Sequence, residues 1–258
     1  MSNKSEKYYI MELAKAGLRQ DGRGLLEFRK PVTIEYNVSN NAEGSATVSL
    51  GKTKVTAGVK LEIGTPYPDN PDEGSIVVNA ELSPIASPNF EPGPPNEYGI
   101  ELARVVDRSI RESKAVNTKD LCITPGEKVW VVLIDLYIQN HDGNLIDASN
   151  LAAMAALKNT KYPKFDGEKI DYHIHEEKSL KIDKIPIEVT FVKIGDIIMA
   201  DPTEKEEEVA DARLTIAIDE NGTVHALQKG GEEGISEEEF SLCLENALKL
   251  SKDLRKYL

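Results

Sequence analysis

Cysteine, histidine and tryptophan are scarce in this sequence, which holds two, four and one of them among 258 residues. Cys122 and Cys243 lie far apart and form no Cys-x-x-Cys pair, which excludes a disulfide framework or a cysteine-built zinc centre and predicts reduced core thiols. No apolar run approaches the roughly 20 residues a membrane span requires, and the start MSNKSEKYYIMELAKAG lacks an apolar leader core and a small-residue cleavage site. The expectation is a soluble, cytoplasmic chain. Positive charge is short as well. The 31 lysines and arginines face 44 acids, a formal balance of −13, so the high pI typical of nucleic-acid binders is absent.

That deficit is uneven. Residues 201–239 hold thirteen acids against Lys205, Arg213 and Lys229, whereas residues 1–30 hold seven bases against four acids. An acidic chain can therefore still carry a localised anion site. The run ELARVVDRSIRESK at 101–114 is the place to look. Arg104, Arg108 and Arg111 recur at i, i+4 and i+7, so on a helix they share one face, opposite a stripe of Leu102, Val105, Val106 and Ile110. Like charges at this spacing cost a helix roughly 0.2–0.5 kcal/mol per pair unless something offsets them. Spacing alone leaves two readings: an external phosphate, or the neighbouring acids Glu101, Asp107 and Glu112 on a solvated face.

Along the chain, Ser5 has the character of an N-cap and Gly17 of a C′ residue for a first helix. Residues 31–39, 45–50 and 54–63 alternate in Val, Thr and Ile around a Gly51-Lys52 turn, the pattern of an antiparallel meander. A strand at 75–82 follows, then the proline-rich run SPIASPNFEPGPPN, read as a surface loop feeding the arginine helix. VWVVLIDLYIQ at 129–139 is nearly continuously apolar, which predicts a strand buried on both faces, with Trp130 in the core. An HDGN turn leads to the alanine-rich helix DASNLAAMAALK at 147–158, and the polar stretch 162–184 reads as a boundary. Strands are expected at 187–193, 197–200, 213–219 and 223–228, followed by a final helix with a Ser236/Glu239 capping box. The architecture is α+β, two related sheet-and-helix halves with mostly antiparallel sheets.

LRQDGR at 18–23, the meander, ELARVVDRSIRES, the DGN turn running into DASNLAAMAAL, and DPTEKEEEVAD at 201–211 together resemble the RNase PH family. The resemblance is closer still to that family's non-catalytic subunits in the archaeal exosome. It covers nearly the whole chain and divides it into an N-terminal helix and basic segment (1–30), a first RNase PH-like half (31–165) and a C-terminal half (166–258). It implies a six-membered ring in which three such subunits alternate with three catalytic RNase PH-like partners, with cap subunits and single-stranded RNA as further partners and phosphorolytic 3′-to-5′ decay as the activity.

Two departures from the active pattern carry weight. Active members hold phosphate with a glycine- and hydroxyl-rich turn at a helix start, where this chain reads Asp142-Gly143-Asn144-Leu145-Ile146. They also carry two aspartates two residues apart, where this chain has Asp201 and Thr203. The expectation is a subunit with no catalytic residue, metal or cofactor of its own, which contacts RNA through Arg104, Arg108 and Arg111. The alternative is a phosphorolytic exoribonuclease active by itself. A small-molecule kinase would need a phosphate loop that the proline-stiffened segment 91–96 does not supply. Glu204, Glu206, Glu207 and Glu208 are expected to be a solvated helix start, and His173 and His175 exposed linker residues. Arg19 and Arg23 are candidates for a basic surface, with a turn role open for Arg23.

Overall fold

Gly51 turns the chain at φ 60° between two alternating runs, and the result is a hairpin of β2 (Gly44–Leu50) and β3 (Thr53–Gly64) with Leu50 opposite Thr53. In the computed structural model, which describes residues 3–258, β1 (Val32–Tyr36) adds to β2, and β3 pairs with the long strand β6 (Lys128–Asn140). β4 (Ser75–Leu82) runs parallel to β6, and the short β5 (Cys122–Thr124) also pairs with β6, giving the order β1-β2-β3-β6-β4. A parallel pair requires a crossover. Here the crossover contains α2 (Glu97–Ser113), which carries the three arginines and packs on β4.

The second sheet has the order β10-β9-β11-β12, all antiparallel, built from β9 (Ile187–Ile194), β10 (Ile197–Ala200), β11 (Ala212–Ile218) and β12 (Val224–Gly231). One of its faces is covered by α5 (Glu237–Arg255), which starts at the Ser236/Glu239 capping box. Between the two sheets lies α3 (Leu145–Lys158), packed on β2 and β3 on one side and β9 on the other. Thirteen of its residues are buried, which is possible because five of them are alanines that let both sheets approach. The N-terminal helix α1 (Asn3–Lys15) rests against β10 and the short α4 (Glu204–Glu208).

Three expectations change. The first helix begins at Asn3, so Ser5 lies inside it rather than at its cap, while Gly17 does leave the helix at φ 73°. β6 is not buried on both faces. Val132, Ile134, Leu136 and Ile138 face the core, but Asp135 and Tyr137 are exposed, because helices cover only one face of the first sheet. The polar stretch 162–184, for which no strand is expected, holds a hairpin of β7 (Lys161–Phe165) and β8 (Ile170–Ser179), and nine of the ten residues of β8 are exposed. A strand without a buried face has no apolar period to betray it. His173 and His175 sit exposed on it, and Trp130 packs edge-on against Tyr162 and Phe165 in the core.

Candidate functional site

The helix α2 is set from its ends. Asn96 caps it by accepting from the Gly99 N–H at 2.9 Å, and Lys114 closes it in the left-handed region at φ 56°. The apolar stripe Leu102, Val105, Val106 and Ile110 is buried, and Arg104, Arg108 and Arg111 are all exposed on the far side. The neighbouring acids decide between the two readings of that face. Glu101 turns away to bind Arg213 of β11 and accepts from Gln228 at 3.1 Å. Asp107 holds Arg111 in an i, i+4 pair. Among the described residues Arg104 and Arg108 have no ion pair, so two of the three charges lack an internal partner. Arg104 opens onto a cavity of about 660 Å³ that Arg111, Lys114 and Lys119 also line.

A second group of arginines meets the opposite fate at Asp201. This residue sits in the left-handed region at φ 48°, with its carboxylate fully buried. Oδ1 accepts from Arg29 Nη2 at 2.9 Å and from Asn144 Nδ2 at 2.8 Å; Oδ2 accepts from the Arg29 backbone N–H at 2.6 Å, Arg29 Nε at 3.0 Å and Arg23 Nη1 at 2.9 Å. The lone pairs are taken, and the residue left of the expected acid pair has none to offer a metal or a proton in transit. Thr203, at the other expected position, is the N-cap of α4. Arg19 is buried as well, paired with Glu206 and donating to the carbonyls of Ala200 at 2.6 Å and Asp201 at 2.9 Å. Arg19 is therefore not a surface base, and Arg23 has the turn role, bound also to Asp21 at 2.7 Å.

The helix start that would hold phosphate is likewise filled from within. Asn144 caps α3 from the left-handed region at φ 51°, and its backbone N–H donates to Glu207 Oε1 at 2.9 Å. A carboxylate of the protein thus occupies the position where an anion would bind. Gly143 lies so close to the α4 loop that a Cβ there would stand 2.4 Å from the Pro202 carbonyl oxygen. Glu206 and Glu207 turn inward, against the expectation of a solvated acidic start, because buried Arg19 and the α3 amide offer them partners; Glu208 alone of the four is exposed. Burial pushes the Glu207 carboxyl up to about 7, and burial does the same to Asp147, which accepts from Thr190 Oγ1 at 2.7 Å.

A cleft of about 580 Å³ lies beside this knot, walled by Phe90, Tyr98 and His141 and bordered by Glu204, Glu207 and Arg213. His141 stacks on Phe90 at 5.4 Å, and burial lowers its pKa to about 4, so the ring is neutral at neutral pH. The cleft offers acids and rings but no cation free to receive phosphate, since Arg213 is bound to Glu101. Among the described residues no group of three or more His, Cys, Asp or Glu side chains is placed to hold a metal ion. The Cys243 thiol is pushed up to about 12, mainly by burial, and is no nucleophile. No helix is long and apolar enough to cross a membrane among the described residues.

The models of the 3′ exoribonuclease (RNase PH) family match in order, domain 1 over residues 27–163 and domain 2 over residues 184–249. The chain belongs to the RNase PH family. Its similarity to the exosome complex component Rrp42 of Methanosarcina acetivorans is 49% identity over 97% of this chain and 92% of the relative. The Rrp42 component of Pyrococcus horikoshii is 48% identical over 96% of this chain and 91% of the relative. Among solved structures, a chain of the Archaeoglobus fulgidus exosome with RNA bound to the active site superposes with a TM-score of 0.91, at 46% identity and covering 98% of both chains. A chain of an archaeal exosome core gives 0.86 at 43% identity, covering 98% of this chain and 96% of that one. The RNase PH two-domain α+β fold is thus shared along nearly the whole chain.

The residues that sequence reasoning missed are Arg29, Asn144 and Glu207. The odd spacing of an asparagine in the DGN turn was the one available signal for Asn144, since asparagine tolerates the left-handed region and caps helices. Arg29 and Glu207 meet only through the fold, across 178 residues of chain.

Proposed function

We propose that this chain is a non-catalytic ring subunit of an archaeal-type exosome, and that Arg104 and Arg108 hold the RNA backbone for a catalytic RNase PH-like partner to cut. Arg111 contributes least to that contact, because Asp107 already holds it. In this reading three copies alternate with three catalytic subunits in the cytoplasm, and cap subunits deliver single-stranded RNA to the ring. The division into residues 1–30, 31–165 and 166–258 belongs to the same reading. The observation that carries it is the pairing of the arginines: the three around Asp201 are consumed internally, whereas Arg104 and Arg108 have no ion pair among the described residues. Their planar forks each suit two hydrogen bonds to one phosphate, and their charge persists at any physiological pH. The similarity to exosome components, one of them in a complex with RNA at its active site, supports the same assignment.

The test is to mix the purified chain with a catalytic RNase PH-type subunit and follow both mass and phosphate-dependent release of nucleoside diphosphates. The expected result is no release by this chain alone and release by a hexameric mixture. Diphosphate release by the chain alone would instead make it an exoribonuclease in its own right.

A further inference from the structure

β9 alternates between the two layers that cover it. Val189 and Phe191 face the core beneath α5, while Thr190 turns toward α3, where it meets Asp147. Glu188 shares the α3 side with Thr190, and its backbone N–H donates to Asn150 Oδ1 at 3.1 Å. The residue is 1% exposed, and neither carboxylate oxygen has a hydrogen-bond partner. Such a group is costly to keep, because burying an unpaired carboxylate sacrifices its hydration for nothing in return. The strands make room for it: Glu188 stands opposite Ala217 of β11, which stands opposite Ala226 of β12.

The carboxylate borders a gap of about 10 Å³, whose lining contains one cation, Arg108 of α2. The volume suits a single water. The other acid near Glu188 is Asp147 of α3, already engaged by Thr190 and Asn144, and together with burial it disfavours charge on an unpaired Glu188. A guanidinium has five N–H donors, so two can satisfy a carboxylate below while the others remain turned outward.

We propose that Glu188 is the positioning residue for Arg108: its carboxylate, directly or through one water in the gap, fixes the guanidinium above the gap with its remaining donors turned toward an RNA phosphate. This rests on the reading of Arg108 as an RNA contact. An arginine tethered in this way loses less conformational freedom on binding than a free one, so removing the tether weakens binding without touching the ligand.

The experiment uses the ring assembled with the catalytic subunit and measures KM and kcat for phosphorolysis of a single-stranded RNA. Glu188→Met is expected to raise KM about 3–10-fold with kcat unchanged, and Glu188→Gln, which keeps an acceptor oxygen in place, to recover most of the loss. In an Arg108→Ala background Glu188→Met should add nothing. An equal rise in that background marks Glu188 as merely structural and overturns the proposal. Unchanged KM in Glu188→Met, with KM raised in Arg108→Ala, overturns it too and leaves the RNA contact standing. Unchanged KM in Arg108→Ala removes the contact itself, and the positioning role with it. Should Glu188→Met fail to assemble, hydrogen exchange at Arg108 Nε in the unsubstituted chain decides: slow exchange supports the tether, and exchange as fast as at Arg104 overturns it.

Discussion

Five arginines divide between two regions of this molecule in opposite ways. Around Asp201, Arg19, Arg23 and Arg29 are drawn inward by carboxylates and by carbonyl oxygens of Glu27, Ala200, Asp201, Asp142 and Gly143. On α2, Arg104 and Arg108 stand in the open while Glu101 and Asp107 pair elsewhere. The residue type is the same, and what differs is whether the fold has supplied the anion. In the closed region the fold places its own carboxylates, Asp201 and Glu207, at the arginines and at the α3 start. In the open region the like-charge repulsion along the helix is left for something outside the chain to relieve.

The sharpest way to break this contrast is to open the closed side. Asp201→Ala takes the one fully buried carboxylate from Arg29 and Arg23, leaving them only the more exposed Asp142 at 3.4 Å and Asp21 at 2.7 Å, and breaking a buried pair by removing one partner costs about 3–5 kcal/mol. Urea unfolding should show a midpoint far below that of the unsubstituted chain. A loss under about 1 kcal/mol would mean that Asp201 is dispensable to the fold and its network weakly coupled.

Opening the arginine face further should do little to the fold and much to the ligand. Arg104→Ala should unfold within about 0.5 kcal/mol of the original, since its side chain is exposed, and Arg104→Ala/Arg108→Ala should lose more only through the Glu188 carboxylate it leaves without a donor. RNA affinity of the assembled ring should nevertheless fall about 10–100-fold, and the slope of log K against log salt should shrink by about 1.4, the value for two lost phosphate contacts on a single strand. An unchanged slope with unchanged affinity would place the RNA elsewhere.

How much of this contrast could be read from residues alone depends on the distance over which each part is made. The face of α2 is local: the i, i+4, i+7 spacing put the three arginines on one side and the stripe Leu102, Val105, Val106 and Ile110 in the core, as found. The capping box at Ser236 is local too. The closed region is not. Arg19 and Arg29 are exposed-looking residues in a polar segment, and their partners lie 187 and 172 positions away. Glu206 and Glu207 follow a proline turn like any solvated helix start, and only the approach of buried Arg19 and the α3 amide turns them inward. The β7–β8 hairpin escaped notice for a third reason, having almost no buried side to impose a period of two.

Charge also distinguishes the regions through pH. Glu207 titrates at about 7 in the fold, raised mainly by burial, against roughly 4.3 in an unfolded chain. The folded state therefore binds more protons, and the stability linked to this group is present in acid and is lost as pH rises toward and through 7. Glu207→Gln mimics the protonated form. Its stability relative to the original should rise by about 1 kcal/mol between pH 6 and pH 8, measured as the difference between paired thermal unfolding curves. A difference independent of pH over that range would show that Glu207 stays charged at its post on the α3 amide.

The finest test lies within the open face itself. Arg111 shares the helix side of Arg104 and Arg108 but is paired to Asp107, with its side chain still 58% exposed. If pairing rather than position decides which arginine serves RNA, Arg111→Ala should change ring affinity for RNA less than about twofold. It should also cost up to about 1 kcal/mol, the upper range for such a pair, because the Asp107 side of it is largely buried. Asp107→Asn is the complementary change, because it frees Arg111 without removing it. The freed guanidinium then resembles its two neighbours, and RNA affinity should rise slightly and become more sensitive to salt. An Arg111→Ala loss as large as that of Arg104→Ala would mean that the Asp107 pair opens whenever RNA arrives, and the line between the closed and open arginines would then run through the Asp201 network alone.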